Sequence, residues 1–273
     1  MDSSVHSMFS RPLRIVAAVF AVCAALLRVY ILKNCLGEGG LPAAGSPVLL
    51  WTVLFSAVGA AVLLLLSLRL NRLPGKSDCL LDTGFGLFPL LVSALLIFFG
   101  SLFRMLDGAQ TLSRVERATE GLGMVSAVCI VPAVLNRKKL GRAAYWLLAP
   151  LTVYTGATLL LRFRVWSHDP VLIDIVPQLL TMVCSMVTNA LVPGFSLGVG
   201  HRRSTVFFGL ATGVFAAMSL PDYLLGAKSG RGDWLIFLGL GVWAVSNALL
   251  LLRKRVQDEV PEPLPEEDGA SAE

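Results

Sequence analysis

Residues 174–189 read DIVPQLLTMVCSMVTN and lie within an apolar run, Val171–Leu191, that is long enough to cross a lipid bilayer. Polar residues nevertheless recur along this run. At about 3.6 residues per turn they share one face of a helix: Asp174, Gln178, Thr181, Ser185, Thr188 and Asn189. This polar stripe would extend roughly 22 Å at about 1.5 Å per residue. We therefore expect the stripe to face protein or water rather than lipid.

Seven further runs of similar length account for most of the remaining chain. The sequence is 55% apolar and only 15% charged, whereas soluble proteins carry about 25% charged residues. We predict an all-α integral membrane protein, a multi-pass bundle of about eight transmembrane helices. The predicted spans are Ile15–Leu32, Pro47–Leu66, Gly84–Phe103, Ala118–Leu135, Ala143–Leu161, Val171–Leu191, Thr205–Leu225 and Trp234–Leu252.

A modest internal similarity indicates that the bundle could be built from repeated helical hairpins. Val187–Leu191 reads VTNAL and Val245–Leu249 reads VSNAL, 58 residues later, and Arg104 and Arg162 are separated by the same 58 residues. A duplicated hairpin would explain this spacing. Chance similarity between apolar helices is the competing explanation.

The distribution of Lys and Arg predicts the orientation. With the N-terminus inside, fourteen basic residues fall on the cytoplasmic side and eight on the other, with Arg28 inside a span. We expect a cytoplasmic segment at 1–14, a membrane domain at 15–252, and at 253–273 a basic stop followed by a disordered acidic cytoplasmic tail, in a plasma-membrane protein. The first run could instead be a signal peptide, but Arg28 interrupts it and no clear cleavage site follows.

Charged residues recur at the predicted outer ends of the spans, and weaker polar faces lie on spans five, seven and eight. The charged residues are Arg28, Arg104, Glu120, Arg162, Asp174 and Asp222, and the weaker faces carry Thr155, Thr158, Thr212, Ser219 and Asn247. In a structural interpretation, Asp174 pairs with Arg162 or Arg104 and the bundle is dry. In a functional interpretation, the charges form a vestibule and the stripe lines a cavity for an ion, a proton or a small polar solute.

The functional interpretation predicts a carrier or binding protein for a small polar or anionic solute. Its candidate binding residues are Arg28, Arg104, Glu120, Arg162, Asp174, Gln178, Thr181, Ser185, Asn189, Asp222 and Asn247. The alternative is a non-catalytic membrane subunit or sensor, whose intramembrane polar residues serve helix assembly and whose acidic tail contacts a protein partner. Both hypotheses place the chain in a lipid bilayer.

Enzymatic chemistry finds little support in the sequence. The three histidines lie in the N-terminal tail and in loops on opposite sides, and none of the five cysteines has the spacing of a metal pair. The segment Gly194–Gly198, GFSLG, fits the G-x-S-x-G pattern, but it follows a helix rather than a strand, and of the acid and base partners that the motif needs only His201 is near. A membrane enzyme is therefore the third hypothesis, after the carrier and the non-catalytic subunit, and we expect no cofactor, no metal site and no nucleic-acid partner.

Overall fold

The computed structural model describes residues 3–35, 47–70, 87–108, 111–141, 143–166, 172–195, 200–225 and 230–252. The predicted tail and most of the GFSLG segment lie outside these residues, as does the side chain of Asp174. The described chain forms helices and no strands. They are α1 (Ser3–Asn34), α2 (Val48–Leu68), α3 (Leu87–Asp107), α4 (Arg114–Leu135), α5 (Arg137–Leu140), α6 (Ala143–Trp146), α7 (Ala149–Trp166), α8 (Leu172–Gly194), α9 (Arg202–Leu224) and α10 (Arg231–Leu252).

Eight helical segments in the described residues are long and apolar enough to cross a membrane, which confirms the predicted number. Their outer faces expose large apolar side chains such as Leu26, Leu65 and Leu160, as expected of surfaces in contact with lipid. The predicted repeat of helical hairpins stays a prediction.

The fourth span starts earlier than its apolar pattern indicates, because a capping box sets its first turn. The Ser113 hydroxyl accepts from the Glu116 backbone N–H, and the Glu116 carboxylate accepts from the Ser113 backbone N–H at 2.8 Å. The helix therefore begins at Arg114 rather than at the predicted Ala118, which places Glu120 in its second turn.

The fifth predicted span is divided near its start. The short helix α6 ends at Trp146, a turn follows at Leu147 and Leu148, and α7 begins at Ala149. Pro150 has no N–H to continue the helical bonding pattern, but it is well tolerated in the first turn of α7. Pro89 occupies the same kind of position in the first turn of α3, where its missing N–H removes no hydrogen bond of the helix.

Six helices form a closed ring. Each packs against the next in the order α3, α4, α7, α8, α9 and α10, and α10 returns to pack on α3. The helices α1 and α2 lie outside this ring, against α9. The large side chains of Tyr154, Phe237 and Trp243 are fully buried within the bundle.

The helices α3 and α10 approach each other closely at a contact where glycines replace bulky side chains. A Cβ atom added at Gly100 would lie 2.7 Å from the Ile236 side chain, and one added at Gly239 would lie 2.9 Å from Ile97. One added at Gly232 would lie 2.5 Å from the Gly100 carbonyl oxygen. The two backbones can approach this closely only because the Cβ atoms are absent.

At the end of the bundle where α9 begins, arginines bind the ends of two other helices. The Arg202 guanidinium donates to the Leu251 carbonyl at 3.0 and 2.7 Å, and Arg203 donates to the Leu70 carbonyl at 2.6 Å. Basic groups suit these positions because carbonyls at a helix C-terminus lack backbone partners and carry partial negative charge.

Candidate functional site

Four charged side chains from four helices meet where α3 and α7 end and α4 and α10 begin, which we call the charged end. Arg104 of α3 bridges two carboxylates, that of Glu120 on α4 and that of Asp233 on α10, the latter at 3.0 Å. Arg162 of α7 donates to the same Asp233 oxygen at 2.5 Å. Asp233 therefore joins α3 and α7 through two arginines.

These side chains line a cleft with a volume of about 230 Å³. We call it the charged cleft, and it is lined by Arg104, Glu116, Thr119, Glu120, Thr158, Leu161, Arg162 and Asp233. The side chains of Asp233 and Arg104 are 25% and 21% exposed, whereas Glu120 is only 2% exposed. The cleft thus leads from a partly open rim to a buried carboxylate.

Aromatic side chains lie next to the buried part of the cleft. The Tyr154 hydroxyl is 3.2 Å from the Ser101 hydroxyl, and Tyr154 packs against Gly123 of α4, where a Cβ atom would collide with its ring. The Arg162 guanidinium carbon lies 5.0 Å from the centre of the Phe237 ring, within the range of a cation–π interaction. Packed side chains therefore fill the interior of the six-helix ring next to the cleft.

Among the buried polar atoms that line the cleft, one carboxylate oxygen and one hydroxyl oxygen have no hydrogen-bond partner among the residues that the structure describes. They are Oε2 of Glu120 and Oγ1 of Thr158, each in a residue that is 2% exposed. The Ser101 hydroxyl lies close to Glu120 and 3.2 Å from the Tyr154 hydroxyl, so when Tyr154 donates in that pair Ser101 can donate to Glu120. Leaving such a group unpaired costs about 1–3 kcal/mol, and more for a charged one, so a bound molecule is one explanation for both atoms.

The structure separates Arg28 and Asp222 from this cluster. Arg28 Nε donates to Asp222 Oδ1 at 2.6 Å between α1 and α9, and both side chains are 0% exposed. The sequence predicted one outer cluster of charges. The structure instead has two groups, a partly exposed one at the cleft and a fully buried pair between α1 and α9.

The described part of the polar stripe on α8 is buried and packed. Thr181 and Thr188 donate their hydroxyl hydrogens to carbonyls one turn earlier in the same helix, at 2.7 and 2.8 Å. Asn189 accepts from the Trp243 indole N–H at 2.9 Å and donates to Ser185 Oγ at 3.4 Å. Gln178 is also buried, and its Nε2 has no partner among the described residues.

The other polar faces expected to join a path behave in the same way. Thr155 and Thr212 donate to carbonyls one turn back, and Ser219 donates to the Ala216 carbonyl three residues earlier. Asn247 donates to the Trp243 carbonyl at 2.9 Å. As with the α8 stripe, most of these groups are satisfied within their own helices.

Sequence reasoning found Arg104, Glu120 and Arg162 but missed Asp233, which connects the two arginines. The signal was available, because Asp233 directly precedes the eighth apolar run and the topology puts that point at the same end as both arginines. Glu116 and Thr119 were also missed, since they lie before or near the start of the predicted fourth span.

The cleft can bind and orient a small molecule through charge and hydrogen bonds. Among the described residues, no group of three or more His, Cys, Asp or Glu side chains is placed to hold a metal ion. The chain matches no protein-family model, and no similar curated protein or solved structure was found.

Proposed function

We propose that this chain is a multi-pass membrane protein that binds a small polar solute in the charged cleft, as a carrier or as a binding protein. The observation that carries the proposal is the cleft itself, about 230 Å³ lined by five ionisable side chains in a bundle of eight apolar helices. Charged groups within a membrane domain are costly, and they commonly mark ion or solute sites.

The pair formed by Arg28 and Asp222 provides an internal comparison. If the charges at the cleft served only to join helices, the same dense packing would be expected there, with both partners fully covered. Arg28 and Asp222 are fully covered, whereas Arg104 and Asp233 keep about a fifth to a quarter of their side chains exposed beside an open volume. This contrast supports a binding role for the cleft.

In the carrier version of the proposal, the described conformation is open at one end of the bundle. A solute leaving the cleft would have to pass the packed side chains around Tyr154, so transport requires those helices to separate. The predicted orientation makes the cleft face the outside and both termini the cytoplasm of a plasma-membrane protein. That orientation is part of the proposal and depends on the Lys and Arg distribution.

The packed stripe on α8 favours a second candidate, a non-catalytic subunit or sensor. The hydrogen bond between Trp243 and Asn189 and the covered pair of Arg28 and Asp222 are what polar residues used for helix assembly would form. In this version a protein partner contacts the membrane domain or the acidic tail. Deleting residues 257–273 would then remove co-purifying partners, and unchanged co-purification would contradict the role of the tail.

Cysteine accessibility tests whether the cleft admits water. In a variant without the five native cysteines, we expect Thr119→Cys and Thr158→Cys to react with a small water-soluble thiol reagent in the intact membrane. Thr181→Cys and Ser185→Cys on the packed stripe are matched controls and should be protected. Equal protection at all four positions would show a dry bundle and would refute the proposed binding function.

A further inference from the structure

We infer that the solute of the charged cleft carries a single positive charge on an organic ammonium group, and that Glu120 and Thr158 bind this group. The inference rests on the proposed binding function and makes it more specific. It depends on the charge balance, the hydrogen-bonding atoms and the size of the cleft.

The charge balance of the lining favours a cation. The lining carries three carboxylates, those of Glu116, Glu120 and Asp233, and two guanidinium groups, which leaves one negative charge on the lining itself, while Arg164, outside the lining, also acts on Glu116. A solute with one positive charge would neutralise the cleft, whereas an anion would double its negative charge. Because Arg104, Asp233 and Glu116 are partly exposed, screening by water and salt reduces this difference.

The positions of the two guanidinium groups, the charged hydrogen-bond donors of the cleft, also favour a cation over an anion. The two guanidiniums, the natural anion-binding groups, already bind carboxylates of the protein: Arg104 binds Glu120 and Asp233, and Arg162 binds Asp233. An anionic solute would therefore have to compete with carboxylates that are held in place by the helices. The anionic solute expected from the sequence is for this reason the weaker form of the hypothesis.

The atoms that remain available can accept hydrogen bonds. Oε2 of Glu120 is an acceptor if the group is ionised, and the Thr158 hydroxyl oxygen accepts as well as donates. An ammonium group has three N–H donors and no acceptor, so it can pair with both atoms at once. The Glu120 carboxylate is already paired with Arg104 through Oε1, so the ammonium group would bind its second oxygen.

The size of the cleft favours an organic ion over a bare metal ion. The volume of about 230 Å³ is many times the roughly 10–15 Å³ that one water molecule needs by the same measure, so the cleft has room for several waters or a small organic molecule. A metal ion would require several oxygen ligands converging within about 2.6 Å. No such set of three or more acidic, His or Cys side chains occurs among the residues described.

The inference can be tested with three probes that differ only in one terminal group. They are 4-amino-1-butanol, 1,4-butanediol and 4-hydroxybutyrate, which carry a positive charge, no charge and a negative charge. Saturation-transfer NMR on the full-length protein in phosphatidylcholine nanodiscs should give saturable binding for the amine, with an affinity at least about tenfold above that of the other two.

Substitutions assign the binding atoms. Glu120→Gln should weaken binding of the amine by about tenfold or more, and Thr158→Val by about threefold to tenfold. Thr152→Val is the matched control on the same helix, because Thr152 also has a buried hydroxyl without a partner among the described residues but does not line the cleft. Asp107→Asn, at an exposed carboxylate of α3, controls for general surface charge. Both controls should change the affinity by less than about twofold.

The outcomes separate this inference from the proposed function. Tighter binding of 4-hydroxybutyrate or of the diol would overturn the ammonium assignment and leave solute binding in the cleft intact. Amine binding that survives both Glu120→Gln and Thr158→Val would overturn the assigned residues. Absence of saturable binding by all three probes, together with protection of the cysteines at positions 119 and 158, would overturn both proposals. If none of the three probes binds but the cysteines at positions 119 and 158 do react with the thiol reagent, only the assigned solute class would be overturned.

Discussion

Gly232→Ala tests how the contact between α3 and α10 shapes the cleft. Gly232 lies in the first turn of α10, next to Asp233, and faces Arg104 of α3. An added Cβ atom would lie 2.5 Å from the Gly100 carbonyl oxygen and 2.8 Å from the Arg104 backbone nitrogen, and it would collide with the Arg104 side chain. The two nearest backbone atoms cannot rotate away, so the helices themselves must separate.

The size of the effect follows from these distances. Restoring ordinary contact requires a shift of roughly 1 Å, which would lengthen the 3.0 Å contact between Arg104 and Asp233 beyond hydrogen-bonding range. Overpacking of this kind costs about 1–3 kcal/mol. The gain in helix propensity from Gly to Ala, about 1 kcal/mol or less, offsets part of this cost. We expect a net loss of about 1–2 kcal/mol in the free energy of unfolding.

Gly121→Ala on α4 is the matched control. A Cβ atom there would meet nothing within 4 Å, so only the helix propensity changes and the protein should gain about 0.5–1 kcal/mol. Both free energies can be measured by titrating dodecylsulfate into detergent-solubilised protein and following helicity by circular dichroism. A stabilised Gly232→Ala variant, or equal effects at the two glycines, would refute the close approach of α3 and α10.

Three further predictions test single contacts. Arg28→Leu and Asp222→Leu should each cost about 3–5 kcal/mol, whereas the double variant should recover most of that loss because no buried charge is left alone; additive losses in a double-mutant cycle would argue against direct pairing. Trp243→Phe should cost about 1–3 kcal/mol by leaving the Asn189 carbonyl oxygen without its donor, and unchanged stability would contradict that bond. Ser113→Ala should cost about 0.5–2 kcal/mol by removing the cap of α4, as measured by the same titration.

The number and approximate positions of the long helices could be predicted because apolar runs of this length are typical of membrane-spanning helices. The errors lie where local chemistry overrides the apolar pattern. The polar sequence of Ser113 and Glu116 adds a turn to α4 before its apolar part begins, and Pro150 ends one bonding pattern and starts another within a single apolar run. Average hydropathy does not record either effect.

The composition of the candidate site was harder to predict, because it depends on which helices are neighbours. Helical periodicity correctly put Gln178, Thr181, Ser185 and Asn189 on one face that avoids lipid. It could not determine whether that face meets water or another helix, and in the structure it meets α10 through Trp243. The pairing of helices also decides which arginine meets which carboxylate, and one sequence contains no direct record of that pairing.

The ring of six helices has a consequence for biosynthesis. The ring closes only when α10 packs against α3, and the segments between them must enter the bilayer first. Until then, the bridge between Arg162 and Asp233 cannot form, although the helix that carries Arg162 has already been synthesised. The nascent chain therefore carries this arginine without one of the partners that it has in the finished bundle. A ribosome that stalls before α10 would release an open bundle with charged side chains on an unclosed seam, which is a natural substrate for membrane quality control.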